Sequence, residues 1–193
     1  MKSILISIRP QWCEKIVSGK KTIEVRKTAP KEVPFKCYIY MTQGAYKDLG
    51  LYSEGIYQNR MKVIGEFICD KVIKTCGWRL RGNTQQCAKR TPEEEMLPHS
   101  ACLSIDEIVN YAGGENGEIC GWHISDLKIY NKPKELSDFI SPSKVKKCVD
   151  YCINGICSNL GYEELCGAIR RCEYKKLTRP PQSWQYVEEL GNE

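Results

Sequence analysis

The chain alternates short runs of branched and aromatic residues with polar segments, a pattern typical of strands joined by loops. Ile4–Ile8 is a compact branched run, and Lys36–Thr42 is a second run that is rich in tyrosine. Thr22–Arg26 alternates strictly, which places Ile23 and Val25 on one face and the polar residues on the other. Each of these runs predicts a strand.

Three later stretches extend the strand pattern. Lys62–Thr75 is a long β-rich run, in which Gly65 predicts a bulge. Glu118–Tyr130 predicts a strand or a pair of strands, and Pro180–Leu190 predicts a closing strand. These stretches add strands in the middle of the chain and at its C-terminal end.

Two segments carry helix signals. Pro10–Gly19 begins with a proline that suits the first helical position and ends with a glycine that can terminate a helix. This segment is also long enough to connect two parallel strands. Ser104–Gly114 begins with a capping box formed by Ser104 and Glu107 and ends in two glycines.

The remaining segments give weaker signals. Gln43–Arg60 predicts a loop or a short helix, Gly77–Ser100 a polar loop, and Lys132–Phe139 one helical turn. The predicted strands are short and outnumber the helices. The pattern therefore favours an α+β fold, in the form of a small mixed β-barrel with helices packed on its outside.

Length and composition limit the architecture and the class of protein. A chain of 193 residues can form one well-buried domain, so we expect a single domain over 1–193. No apolar segment has the length of a membrane span, and Arg9 and Pro10 interrupt the first apolar run too early for a signal peptide. We therefore expect a cytoplasmic protein with no membrane partner.

Positive charge is concentrated near the start of the chain. The net charge is +5, and Met1–Lys36 contains nine Lys or Arg residues against three acidic ones. Within Ser18–Lys27, four cations flank the single carboxylate of Glu24. This cluster predicts a site for a nucleotide or for RNA, and the alternative is a solvated edge strand whose lysines prevent aggregation.

The side chains of this cluster suit nucleotide chemistry. Arg26 can hold a phosphate with two hydrogen bonds, and Glu24 can accept a hydrogen bond from the amino group of a base or orient Lys21. Neighbouring cations or burial would lower the pKa of Lys21, which could then act as a base or a nucleophile.

The order of strand, helix, SGKKTIEVR, strand and KVIGEFICD resembles the ASCH family of the PUA-like superfold, of the kind found in Gram-positive bacteria and their phages. The match is tightest over Ile4–Arg26, and Val63–Asp70, CGWHISDLKIY and Leu177–Glu189 support it. The resemblance implies a PUA-like mixed barrel with a cleft beside the KKTIEVR strand. In that cleft, RNA or a modified nucleotide would bind.

The resemblance also implies an enzymatic alternative. One bacterial ASCH protein hydrolyses N4-acetylcytidine with a lysine, a threonine and a glutamate; Lys21 matches that lysine, but Glu24 stands where that protein has the threonine. A carboxylate cannot serve as the same hydroxyl nucleophile. Lys21 and Glu24 are therefore assigned as catalytic only if the protein is an enzyme, either a hydrolase of acylated nucleosides or a ribonuclease. The third residue stays open among the following acids: Glu93, Glu94, Glu95 and Glu107.

Further candidates for nucleotide contact flank the cluster or lie on a later strand. Arg9 could add a phosphate contact. Trp122 could stack on a base, although tryptophan is more often buried in a core. The role of His123 is open. The predicted RNA- or nucleotide-binding residues are Ser7, Arg9, Lys20, Lys21, Glu24, Arg26, Trp122 and His123.

Twelve cysteines are expected to be buried thiols or metal ligands, since a reducing compartment disfavours disulfides. Residues 144–176 form a cysteine-rich insert, which would hold a structural zinc through Cys148, Cys152, Cys166 and Cys172. No pair has C-x-x-C spacing, so the alternative is a helical insert whose cysteines act as small hydrophobes. The same insert is the contact surface in a third interpretation of function, a protein-interaction adaptor with an unknown partner.

Overall fold

The computed structural model describes residues 1–44, 55–82, 89–141 and 176–189. The strands are β1 (Ser3–Ile8), β2 (Ile23–Arg26), β3 (Phe35–Met41), β4 (Val63–Cys69), β5 (Val72–Cys76), β6 (Glu118–His123), β7 (Ser125–Lys134), β8 (Phe139–Ile140), β9 (Trp184–Tyr186) and β10 (Glu188–Glu189). The α-helices are α1 (Pro10–Val17), α2 (Gly77–Arg81), α3 (Pro92–Ala101) and α4 (Ile105–Ala112). Short 3-10 turns cover Gly55–Asn59 and Leu136–Asp138.

A five-stranded sheet in the order β7-β4-β3-β1-β9 is the largest of the described sheets. β1 and β3 are parallel, and α1 lies on the connection between them, whereas the other neighbouring pairs are antiparallel. Ile4 and Ile6 pack into the main core on one face of the sheet, and Leu5 and Tyr38 pack into a second core on the other face. Apolar packing on both faces explains why β1 consists almost entirely of branched residues.

A second sheet, β2-β6-β5, has three strands and is covered by α3 and α4. Ile23 and Val25 of β2 pack there against Leu97 and Ile108 of the helices. β8 and β10 form a separate two-stranded sheet. The predicted α+β class is therefore confirmed, but no ladder joins the edges of the described sheets into the closed barrel that the sequence predicted.

Both predicted helices are confirmed. α1 begins at Pro10, and its Cys13 and Ile16 are buried in the main core. α4 begins at the predicted capping box, in which the backbone N–H of Ser104 donates to the Glu107 carboxylate at 2.8 Å.

The prediction of a polar loop over Gly77–Ser100 is wrong for its described part, which contains α2 and most of α3. Pro92 takes the first turn of α3 after the N-cap Thr91, and Pro98 is accommodated inside the helix. Prolines that suggest a loop therefore lie within a helix that a capping box between Thr91 and Glu94 initiates.

Two other boundaries differ from the prediction. Lys62–Thr75 contains two strands, β4 and β5, because the chain turns at Asp70 and Lys71. The helical turn predicted over Lys132–Phe139 is limited to Leu136–Asp138, and the residues before it extend β7.

Gly65 lies at the bulge that the sequence predicted in β4, where the register with β7 shifts. A Cβ at Gly65 would lie 2.5 Å from the carbonyl oxygen of Lys128. We expect Gly65→Ala to lower the free energy of unfolding by about 2 kcal/mol in a urea titration, because the backbone of β7 would have to move. Gly121→Ala is the control, since its Cβ would meet side-chain atoms only, the nearest being Leu97 Cδ1 at 2.9 Å and Ile23 Cγ2 at 3.0 Å, and side chains can shift at lower cost than the backbone of β7. Equal losses from the two variants would contradict this account.

The described cysteines behave as small hydrophobes. Cys13, Cys37, Cys69 and Cys120 are buried, and every cysteine in the described residues is free. The insert predicted over 144–176, with its four candidate zinc ligands, lies outside the described residues except for Lys176. Within the same described ranges, no helix is both long and apolar enough to cross a membrane.

Candidate functional site

A cleft of about 440 Å³ opens beside β2 and extends to α4. It is lined by Ser7, Ile8, Arg9, Trp12, Lys21, Glu24, Val25, Arg26, Thr42, Leu103, Glu107, Tyr111, Gln182 and Ser183. Its walls therefore come from the end of β1, from α1, from α4 and from the segment that precedes β9.

The alternation of β2 explains why charged side chains reach this cleft. Ile23 and Val25 turn toward the helices, so Glu24 and Arg26 turn the other way, into the space beside the larger sheet. Lys21 lies just before β2, and its backbone N–H donates to the Lys15 carbonyl at 2.9 Å. The turn after α1 is thus fixed in a position that directs Lys21 into the cleft.

Lys21, Glu24 and Arg26 form a buried ionic group, which we call the charged triad. Lys21 and Glu24 are only 3% and 5% exposed. The Glu24 carboxylate lies between two cations, with Oε2 3.4 Å from Lys21 Nζ and Oε1 3.1 Å from an Arg26 guanidinium nitrogen. The sequence predicted that these three residues converge, and the structure brings them together.

Backbone carbonyls complete the surroundings of the two cations. Lys21 Nζ donates to the Ala101 carbonyl at the end of α3 at 2.7 Å. Arg26 donates to the Ser7 carbonyl in β1 at 2.6 Å. The charged triad therefore ties β2 both to the larger sheet and to α3.

Two polar atoms of the charged triad have no hydrogen-bond partner among the described residues. They are Glu24 Oε2, which lies 3.4 Å from the Lys21 ammonium, and Arg26 Nε. Buried polar atoms are nearly always hydrogen-bonded, because an unsatisfied one costs about 1–3 kcal/mol. A carboxylate oxygen and a guanidinium N–H, both buried, are thus left without a hydrogen-bond partner in residues that line the cleft.

Burial lowers the pKa of Lys21, and the neighbouring Glu24 carboxylate opposes this effect in part. The side chain is therefore easier to deprotonate than a surface lysine, although its contacts with Glu24 and Ala101 are those of a protonated ammonium. The direction of the shift agrees with the sequence-based expectation, but burial is its main cause.

Two aromatic rings border the cleft, and neither was among the site residues predicted from the sequence. Trp12 of α1 has Lys21 Nζ 5.3 Å from its ring centre and Lys15 Nζ 4.6 Å from it, so cations hold this ring in place. Tyr111 of α4 is 39% exposed, with Lys27 Nζ 5.7 Å from its ring. Tyr111 is therefore the more accessible surface for stacking.

Ser7 and Arg9 line the cleft in different ways. The Ser7 hydroxyl donates to the Pro181 carbonyl at 2.6 Å, and the Ser7 backbone N–H donates to the Ser183 carbonyl at 3.0 Å. Ser7 thus fixes the C-terminal wall of the cleft. Arg9 is exposed at the rim, directly before α1, where its charge is available to a ligand.

The other predicted contacts lie away from the cleft. Lys20 lines a neighbouring hollow, and Trp122 is fully buried between Phe35 and Trp184, with ring centres 5.2 and 5.9 Å away. His123 is exposed, and its Nδ1 lies 2.7 Å from an Asp70 carboxylate oxygen. No cluster of three or more metal-ligating side chains occurs within the described ranges, and the four candidate zinc cysteines lie outside them.

Comparisons with known proteins identify the fold. No family model matches the chain, and no curated protein matches it. An ASCH protein from Zymomonas mobilis has a similar structure, with 19% identity and a TM-score of 0.51 over 97% of this chain and 88% of that chain. A Tyr-to-Phe variant of the Zymomonas mobilis protein gives 18% identity and a TM-score of 0.52 over 97% and 91% of the two chains. The predicted ASCH fold is therefore confirmed.

Proposed function

We propose that this ASCH-fold protein binds a nucleotide in the cleft, with the base against the charged triad and the phosphate toward Arg9 at the rim. The observation that carries the proposal is the presence of two buried, unsatisfied atoms in residues that line the cleft, Glu24 Oε2 and Arg26 Nε. A ligand that offers a donor and an acceptor would satisfy both groups once the side chains of Glu24 and Arg26 turned toward it, and would recover the free energy lost by their burial.

The amino edge of cytosine supplies this pair of groups. Its exocyclic N4 amino group can donate to Glu24 Oε2, as carboxylates accept from cytosine elsewhere. The adjacent ring nitrogen or carbonyl can accept from the Arg26 guanidinium. Uracil carries a carbonyl in place of the amino group. That carbonyl would face the Glu24 carboxylate oxygen with no proton between the two oxygens.

The size and the walls of the cleft suit a single nucleotide. Its volume of about 440 Å³ falls within the range typical of small-molecule sites. Tyr111 offers a partly exposed ring for stacking on the base, and Arg9 offers a cation for the phosphate. Leu103 and Val25 supply apolar surface on the walls.

Binding of CMP and UMP measured by isothermal titration calorimetry tests the proposal. We expect CMP to bind more tightly than UMP, and Tyr111→Ala to weaken CMP binding about tenfold, since base stacking contributes about 1–3 kcal/mol. Tyr186→Ala is the matched control, because Tyr186 is similarly exposed (36%) but lines a different surface. Absence of CMP binding, or equal affinity for CMP and UMP, would refute the proposal.

Hydrolysis of an acylated nucleoside or of RNA is a second candidate, and the lowered pKa of Lys21 favours it. The Glu24 carboxylate would accept a proton from the water as its oxygen bonds to the acyl carbon or the phosphorus. The Lys21 ammonium, which its lowered pKa makes a better acid, would donate a proton to the leaving nitrogen or oxygen as the bond to it breaks. Incubation with N4-acetylcytidine or with single-stranded RNA decides between the two candidates. Product that disappears in Lys21→Ala would establish hydrolysis, whereas binding without product would leave the nucleotide-binding proposal in place.

A further inference from the structure

A second hollow, of about 740 Å³, lies beside the cleft and shares Leu103 with it as a common wall. The hollow lies between the turn that joins α1 to β2 and the C-terminal end of α3. Polar side chains that line it are Lys15, Lys20, Thr22, His99 and Ser100. No carboxylate of a described residue lines it.

Neither lysine of this hollow forms an ion pair within 4 Å of a described carboxylate. Lys20 is exposed, and the ammonium of Lys15 lies 4.6 Å from the ring centre of Trp12 and interacts electrostatically with Glu107, which lines the neighbouring cleft. Five other lysines are paired with carboxylates: Lys2, Lys36, Lys62, Lys71 and Lys134. Lys27, Lys31 and Lys74 are exposed and form no ion pair with a described residue, so the hollow differs in that two such lysines line one concave surface without a carboxylate. The hollow therefore concentrates positive charge that an anionic ligand can neutralise.

Lys20 and Lys21 are consecutive in the chain but line different sites. Lys21 extends into the cleft, whereas Lys20 lines the hollow on the other side of the Leu103 wall. A ligand with its base in the cleft would thus meet the second cation as its backbone continued past Leu103. The hydroxyls of Ser100 and Thr22 and the His99 ring are further groups that can donate hydrogen bonds to phosphate oxygens.

We propose that this hollow binds the phosphodiester backbone of a single-stranded nucleic acid whose neighbouring nucleotide occupies the cleft, an inference that rests on the proposed function. A strand fits better than a duplex, because a base can enter the cleft only when it is unstacked and unpaired. The contacts offered are to phosphate, so they position the strand and do not read its sequence.

Lys20→Glu tests the inference with three probes: CMP, a short oligocytidylate RNA and a DNA strand of the same sequence. We expect the wild-type protein to bind either strand more tightly than it binds CMP. Lys20→Glu should weaken strand binding at least about tenfold. It should also reduce the slope of the logarithm of the binding constant against the logarithm of salt concentration by the contribution of about one phosphate contact. The affinity for CMP should be unchanged. Lys74→Glu is the control, since Lys74 is also exposed, lies on β5 outside both sites and gives the same change in net charge.

The outcomes separate this inference from the nucleotide proposal. If CMP binds but the strands bind no more tightly, or if Lys20→Glu and Lys74→Glu weaken the strands equally, the hollow is not a backbone site and the cleft proposal survives. If Lys20→Glu weakens strand binding while CMP does not bind at all, the hollow is supported and the nucleotide proposal fails. Binding of RNA without binding of DNA would overturn a site built on phosphate contacts.

Discussion

Glu24→Gln is expected to lower the free energy of unfolding by about 4 kcal/mol, because removing one partner of a buried ion pair leaves the remaining charges uncompensated. The substitution preserves the size of the side chain but removes its charge from between Lys21 and Arg26. Both cations would remain in a space where Lys21 is only 3% exposed. Urea unfolding at neutral pH measures the loss.

Glu32→Gln is the control for this effect. Glu32 also pairs with a lysine, Lys2 at 2.9 Å, but its side chain is 69% exposed. Exposed ion pairs contribute about 0–1 kcal/mol, so the control should change stability little. Equal losses from the two variants would show that the charged triad does not form in solution.

Adding Lys21→Met to Glu24→Gln gives a second check on the same cause. Methionine removes the orphaned ammonium, so the double variant should be more stable than the sum of the single losses predicts. Additive losses would indicate that the Lys21–Glu24 contact contributes nothing and that the destabilisation arises from packing alone.

The charged triad could be predicted from sequence because its members lie within one short segment. Alternation along β2 is a local property, and it places Glu24 and Arg26 on one face wherever the strand lies in the fold. The turn after α1 brings Lys21 onto the same side. What the sequence did not reveal was the depth of burial, which depends on how the second sheet packs beside the first.

The other walls of the cleft could not be predicted, because they come from segments far apart in the chain. Tyr111 reaches the cleft from α4 and Gln182 from the segment before β9, and neither has a local pattern that marks a ligand site. Leu103 follows α3, a segment whose prolines predicted a loop. The barrel prediction failed for the same reason, since closure depends on the pairing of edges that are distant in sequence.

α3 affects the site through the Ala101 carbonyl, which accepts a hydrogen bond from Lys21, so the contacts that fix α3 also matter to the cleft. Glu94 is the main contact of this kind. Its buried carboxylate accepts hydrogen bonds from Arg79 of α2 at 2.5 and 2.6 Å and from the Thr91 backbone N–H at 2.8 Å. These bonds, those from Arg79 first, lower the pKa of Glu94 to about 2.

Glu94→Gln is therefore expected to lower the free energy of unfolding at neutral pH by about 3 kcal/mol, as for other buried ion pairs that lose one partner. Glutamine still suits the capping box, so the decrease in the free energy of unfolding is due mainly to removal of the negative charge of Glu94. Because the folded pKa is depressed from 4.5 to about 2, the wild-type advantage is complete above pH 4.5 and should disappear as the pH falls toward 2. Urea titrations across this range measure the convergence of the two proteins.

Glu93→Gln is the matched control on the neighbouring residue. Glu93 pairs with Lys71 at 2.9 Å, but both side chains are exposed, so its replacement should cost much less than that of Glu94. If the Glu94→Gln loss persisted unchanged at pH 2, its origin would be packing rather than charge. Convergence at low pH, with no comparable change for Glu93→Gln, would show that a single buried carboxylate joins α2 to α3 and so holds the Ala101 carbonyl against Lys21.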